Sequence, residues 1–145
     1  LAGIRHYAGT DPVFKRGYGA TLRDGLAIFQ SDPLLSAPGT KYQYTSYGYN
    51  LFGAALEHAG GADFLTLLRT TVTAPLGVQS PQGDDWQKII EGRTAFYAQT
   101  RDQKIVNADF VDNGYKWPSG GLVASAPDVA KFADAHLRPG FLKAG

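Results

Sequence analysis

The chain has no cysteine and no methionine. Without thiols there is no disulfide, no thiolate nucleophile and no soft ligand for zinc, and the redox state of the compartment leaves no trace in the sequence. A surplus of one charge is lacking too: fourteen Lys and Arg against thirteen Asp and Glu leave a formal charge of +1. A nucleic-acid surface needs a basic excess or stripe, so nucleic acid is not an expected partner. No apolar run approaches the roughly 18 residues that cross a bilayer, and no charged-then-apolar segment of the secretory kind opens the chain. The three histidines, His6, His58 and His136, are far apart and form no His-x-x-x-His or His-Glu-x-x-His pair. That pattern does not describe a zinc enzyme, and no metal or other cofactor is called for. The chain opens at Leu1, which together with the absence of methionine points to a natural start upstream of it.

What is present is an ordinary folding composition. With 43% apolar and 19% charged residues the chain lies outside the range of disordered sequences. Its 145 residues suffice for one core and are too few to divide comfortably into two domains.

The organising stretch runs from Pro38 to Gly61. Pro38 and Gly39 make a turn, and Lys41 to Tyr44 form an exposed, extended approach. Thr45 or Ser46 then serves as N-cap, its hydroxyl taking a free N–H of the first helical turn. Tyr47, Leu51, Ala54, Ala55 and His58 recur on one helical face, the expected buried side. Gly60 and Gly61 end the helix. Tyr44 is thereby held on a short loop braced by a buried helix, where a side chain that must reach a substrate would be placed.

Around it the pattern predicts a helix over 21–30, with Thr21 and Asp24 as capping box and Ser31-Asp32-Pro33 as its end. The stretch after Asp11, with Pro12 and Gly17 to Gly19, reads as irregular. A second helix starts at Ala62-Asp63 and closes at Pro75-Leu76-Gly77, and Gln79 to Asp85 reads as loop. Ala95 to Thr100 and Ile105-Val106, either side of a polar reversal, read as a hairpin. Asp112 to Gly121 reads as a loop rich in Asn, Gly, Pro and aromatic residues. Ser125, with Asp128 three residues on, begins a last helix whose buried stripe would be Val129, Phe132, Ala133 and His136.

Pro38-Gly39-Thr40, then Tyr44-Thr45-Ser46, then Gly48-Tyr49-Asn50-Leu51 resembles the second motif of the serine β-lactamase-like hydrolases, which include class C β-lactamases, DD-peptidases and esterases. The mitochondrial β-lactamase-like proteins are most similar. The further segments that match are Gly3 to Tyr7, Asp32-Pro33-Leu34, Arg93 to Tyr97, Val111 to Trp117, and Ser119 to Leu122 running into Ala126 to Phe132. The resemblance implies an α+β fold of the β-lactamase/transpeptidase type, of which residues 1–145 would be a central portion: mainly the helical region plus a few antiparallel strands. It implies a serine hydrolase acting through an acyl-enzyme on an amide, lactam or ester, with a small molecule or peptide as substrate. For a bacterial source it implies the periplasm or the outside of the cell.

A tyrosine hydroxyl, with an ordinary pKa near 10, is a poor base at neutral pH, and a neighbouring ammonium lowers that value. In the resembled family the ammonium comes from a Ser-x-x-Lys pair, whose spacing puts nucleophile and lysine on one helical face. Tyr44 would then be the general base, or share a proton relay with that lysine. Read without the family, a tyrosine at a helix entrance is packing or surface. Ser46 stands where many members carry asparagine; a hydroxyl is shorter and has one donor, so the departure bears on lactam recognition more than on hydrolysis. Ser46 is equally readable as a plain N-cap. Trp117, Ser119 and Gly120 lie on the loop that borders the substrate groove in the resembled fold, although Trp117 could also plug a core and Gly120 with Gly121 could serve a bulge. His6 reads as a hydrogen-bonded loop residue.

The residues three positions before the lysines are Pro12, Pro38, Asp85, Arg101, Asn113, Asp128 and Gly140, and none is serine. The Ser-x-x-Lys pair is therefore absent. The third family motif, Lys or His then x then Gly on a strand, has look-alikes at His58-Ala59-Gly60 and Lys143-Ala144-Gly145, neither in a strand context, and there is no Gly-x-Ser-x-Gly elbow. The expectation is the middle of a hydrolase without its nucleophile, inactive alone and prone to associate with itself through uncovered apolar surface. The competing expectation is a binding or assembly module that kept the fold and lost the chemistry.

Overall fold

The computed structural model describes residues 1–11 and 21–141. The irregular stretch expected after Asp11 and the Lys143-Ala144-Gly145 segment lie outside the described residues.

Helix α2 (Ser46–Gly60) is the longest described element, and the helices Leu22–Leu26, Phe64–Leu68 and Trp117–Gly120 pack on it. Thr45, extended at φ −152°, is its N-cap, and Gly61 closes it in the left-handed conformation at φ 67°. The buried face is Ser46, Tyr47, Asn50 and Gly53. This corrects the expected face: Leu51, Ala55 and His58 are exposed. The reason is Gly53, where an added Cβ would fall 2.2 Å from Cγ of Pro118 and 3.1 Å from Leu22. Close approach of backbone, rather than apolar character, selects the side of α2 on which helices α1 (Leu22–Leu26) and α4 (Trp117–Gly120) seat themselves.

Helix α1 has the expected Thr21–Asp24 capping box but is shorter than expected, because the chain passes into turns from Ala27 to Gln30. The second expected helix is α3 (Phe64–Leu68), capped by Asp63 and prolonged by a π-helical turn, Arg69–Thr73, before the Pro-Leu-Gly turn. Strand β1 (Gln82–Gly83) lies inside the expected loop and pairs antiparallel with β4 (Leu122–Val123). The hairpin is β2 (Tyr97–Gln99) with β3 (Ile105–Asn107), Ala98 opposite Val106. The expected loop at Asp112 to Gly121 contains the single turn of α4.

Ser125 caps α5 (Ala126–Leu137) by accepting the Asp128 N–H at 3.4 Å. Asp128 does not return the bond to Ser125; its carboxylate accepts the N–H groups of Ser80 at 2.8 Å and Gln79 at 3.1 Å. Donation from the Ser80 backbone first, and then from its hydroxyl and from Lys131, holds that carboxyl well below the usual range. The expected buried stripe of α5 is a second correction: Val129 is 54% and Phe132 41% exposed, and Ala133 and His136 are exposed as well. Only the ring of Phe141, just beyond the helix, is described against it, edge-on to Phe132 and His136.

The core centres on Phe29, Tyr47 and Tyr115, with Ile4, Tyr7, Leu26 and Ile28 against it. Phe29 stacks on Tyr47 with centroids 4.5 Å apart, a contact of about 1 kcal/mol beyond area burial. Next to it Asp11, with its side chain 7% exposed, receives Arg5 through both Nη atoms at 2.8 and 3.0 Å, the Ala8 N–H at 2.6 Å and the Tyr47 hydroxyl at 2.7 Å. Ion pairs open to water, such as Lys104 with Asp102, contribute little, so the buried Arg5–Asp11 cluster is the strongest ionic tie of the first segment to α2.

Among the described residues the class is α+β: helices with two small antiparallel strand pairs. Among the described residues no helix is long and apolar enough to cross a membrane, and no cluster of three or more His, Cys, Asp or Glu could hold a metal ion.

Candidate active site

The first turn of a helix leaves backbone N–H groups without intrahelical acceptors, and at the head of α2 two of them are answered by side chains. Gly48 N–H donates to the Thr45 hydroxyl at 3.1 Å. Ser46 N–H donates to Nδ1 of His6 at 3.2 Å. The Thr45 hydroxyl in turn donates to the carbonyl of Arg5 at 2.7 Å. Two consecutive residues are thus tied to a segment 40 positions earlier. Tyr44 is the next residue outward.

Tyr44 is 62% exposed. Its ring meets that of His6 edge-on, with centroids 5.2 Å apart and planes at 75°. On its open side lies a groove of about 410 Å³ bounded by Leu1, Ala2, Tyr42, Tyr49 and Phe52. The phenol is therefore accessible beside an aromatic depression while its backbone is fixed from behind. Ser46, by contrast, is buried at 6% exposure beneath His6 and is not the cap.

His6 stacks on Tyr7 at 4.7 Å. The Tyr7 hydroxyl lies 3.4 Å from Oγ of Ser119, which itself donates to the Lys116 carbonyl at 3.3 Å. Tyr44, His6, Tyr7 and Ser119 form a continuous row running from the head of α2 to α4. Nζ of Lys116 sits 5.8 Å from the centre of the Tyr7 ring. Burial pushes the Lys116 ammonium below its usual pKa, against the opposing pull of Asp84 and Asp112. Beneath the row, burial and then Asp11 push the Tyr47 phenol up, which makes it a structural donor rather than a base. Burial likewise pushes the Tyr115 phenol up.

Trp117 stands apart from this row. A Cβ at Gly83 would come within 3.2 Å of its indole and one at Gly121 within 2.9 Å, so those glycines make the room the ring occupies. It lines a different cleft, of about 520 Å³, with Leu65, Arg69 and Val78. Among the described residues, none lines both that cleft and the Tyr44 groove. Gly120 ends α4, exposed, at a φ of 148° that favours glycine. The structure thus links Tyr44 and Ser119 through two intervening rings, keeps Ser46 immediately behind Tyr44, and sets Trp117 and Gly120 beyond.

Sequence reasoning missed Tyr7 and Lys116, and read His6 only as a loop residue with a hydrogen bond, which it has. The signal available was the Gly-Ile-Arg-His-Tyr run itself, whose partners lie 40 and 112 positions further along the chain.

The family model for Beta-lactamase matches residues 2–145. The human mitochondrial serine beta-lactamase-like protein LACTB is 32% identical over 114 residues, covering 79% of this chain and 21% of that protein. The chain therefore spans about a fifth of the length of this curated relative. Among solved structures, a penicillin binding protein from Bacillus halodurans superposes with a TM-score of 0.74 at 22% identity, over 94% of this chain and 43% of that one. A D-amino acid amidase from Ochrobactrum anthropi SV3 gives 0.77 at 18% identity, over 94% and 39%. At these identities the two structures speak for the fold.

Proposed function

Because the chain belongs to the Beta-lactamase family, we propose that Tyr44 is the general base of a serine hydrolase that cleaves an amide, lactam or ester through an acyl-enzyme. The observation that supports this most is the exposed Tyr44 phenol beside an open groove, on a backbone pinned through Thr45 and Ser46. In the proposed reaction the tyrosine oxygen takes the proton of a serine hydroxyl as that oxygen adds to the acyl carbon. It then passes the proton to the departing amine or alcohol, and water repeats the sequence on the acyl-enzyme. The serine and its lysine partner come from outside these 145 residues, in which no Ser-x-x-Lys occurs. Of Ser46, Trp117, Ser119 and Gly120, the residues expected on the substrate side, Ser119 is best supported because it is joined to the Tyr44 row through Tyr7, whereas Ser46 is buried behind Tyr44 and Trp117 lines another cleft. The substrate is a small molecule or peptide, handled without a cofactor.

The missing nucleophile supports a second reading, a binding or assembly module that retained the fold. Treating the full-length protein with a fluorescent penicillin separates the two. The hydrolase reading expects a covalent adduct on a serine outside residues 1–145 and none on the 145-residue chain alone. A full-length protein that takes up no label from either a penicillin or an activated ester supports the module instead.

A further inference from the structure

We infer that His6 is a positioning residue for Tyr44. The inference rests on the assignment of Tyr44 as base and adds the element that fixes the base's direction. His6 makes two contacts with the segment 44–46. Its Nδ1 accepts the Ser46 N–H at 3.2 Å, and its ring meets the edge of the Tyr44 ring with centroids 5.2 Å apart. With Nδ1 acting as acceptor, the neutral imidazole carries its proton on Nε2.

The imidazole cannot swing freely to make these contacts. One face stacks on Tyr7 at 4.7 Å, and Tyr7 is held in turn by its edge contact with buried Tyr47 at 4.8 Å and by Ser119 at 3.4 Å. Its own backbone neighbour Arg5 is locked by Asp11 and by the Thr45 hydroxyl. A rigid ring thus connects the core to the one exposed residue whose angle toward the groove matters. Misplacing a reacting group by about 1 Å can cost about a hundredfold in rate, so the Nδ1 acceptor, which this ring holds in place to fix the Ser46 N–H behind Tyr44, acts on turnover more than on substrate affinity.

The test uses the full-length protein and p-nitrophenyl ester turnover with three His6 settings. His6→Phe keeps a ring for Tyr7 and Tyr44 to pack on but removes the acceptor. His6→Asn gives up the ring but offers Oδ1 near the position of Nδ1. The expected result is that His6→Phe lowers kcat about tenfold or more with KM within about twofold, and that His6→Asn recovers most of the loss. In a Tyr44→Phe background the His6→Phe change should have almost no further effect. Unchanged kcat in His6→Phe, no rescue by Asn, or an equal loss with and without Tyr44 overturns the inference. Failure of the underlying assignment looks different, because Tyr44→Phe itself then turns over undiminished. A spectroscopic arm holds even where a variant folds poorly: nitrogen-15 NMR of the wild-type imidazole should show a bare Nδ1 and the proton on Nε2, and an Nδ1–H tautomer overturns it.

Discussion

The Tyr47 hydroxyl donates to Oδ2 of Asp11 at 2.7 Å, and the same carboxylate receives both Nη atoms of Arg5 and the Ala8 N–H. Burial alone would raise the Asp11 carboxyl, but the Arg5 hydrogen bonds, then Ala8 and Tyr47, outweigh it and hold the group below its ordinary value. This one acceptor ties the segment that carries His6 to the helix that follows Tyr44.

Asp11 consequently contributes stability that depends on pH. The folded carboxyl keeps its charge to lower pH than the unfolded one, so the contribution is complete above about pH 5 and fades as pH falls below about 4. Asp11→Asn should cost about 3 kcal/mol at pH 7, read as a lower urea midpoint of the full-length protein. The gap between variant and wild type should narrow as the pH is taken below 4. A gap that is flat with pH would contradict this.

Gly53 should resist replacement even though it lies within a helix. Propensity alone favours Ala over Gly there by about 1 kcal/mol. Its added Cβ, however, would fall 2.2 Å from Cγ and 3.0 Å from Cβ of Pro118. The expected net loss for Gly53→Ala is about 1–3 kcal/mol, measured by urea unfolding, and a gain in stability would show that α4 does not seat on α2 as described.

The exposed stripe of α5 predicts behaviour of the 145-residue chain on its own. Val129, Phe132 and Leu137 remain exposed apolar surface, although the Phe132 ring meets those of His136 and Phe141, and uncovered surface of that kind drives association. The chain should elute ahead of a monomer of 15.6 kDa on gel filtration. The pair Val129→Ser and Phe132→Ser should move it toward the monomer position, with helical circular dichroism retained. A wild-type chain that runs as a monomer at every concentration tested contradicts the expectation.

Local signals carried most of the element boundaries. Thr21 with Asp24, Asp63, Ser125, and Gly61 in its left-handed conformation all cap the helices that their sequence context announces. What escaped was decided at long range. The buried side of α2 follows Gly53 and Pro118 rather than the apolar period through Leu51 and Ala55, and strand β1 exists only because Gly83 meets Leu122. The stripe on α5 is periodic in sequence yet open in the structure, since periodicity says which side of a helix is apolar and not what covers it. The same holds at the site. The exposed position of Tyr44 ahead of α2 was legible from its motif, whereas the His6 and Tyr7 rings that link it to Ser119 join positions too far apart in sequence for any local rule to connect.

The most direct measurement is ester turnover by the full-length protein with Tyr44→Phe, which removes the one oxygen assigned as base and leaves the ring on His6. The account predicts a fall in kcat of about 10²–10⁴-fold with the melting temperature nearly unchanged. Turnover equal to wild type in a well-folded Tyr44→Phe protein would contradict it.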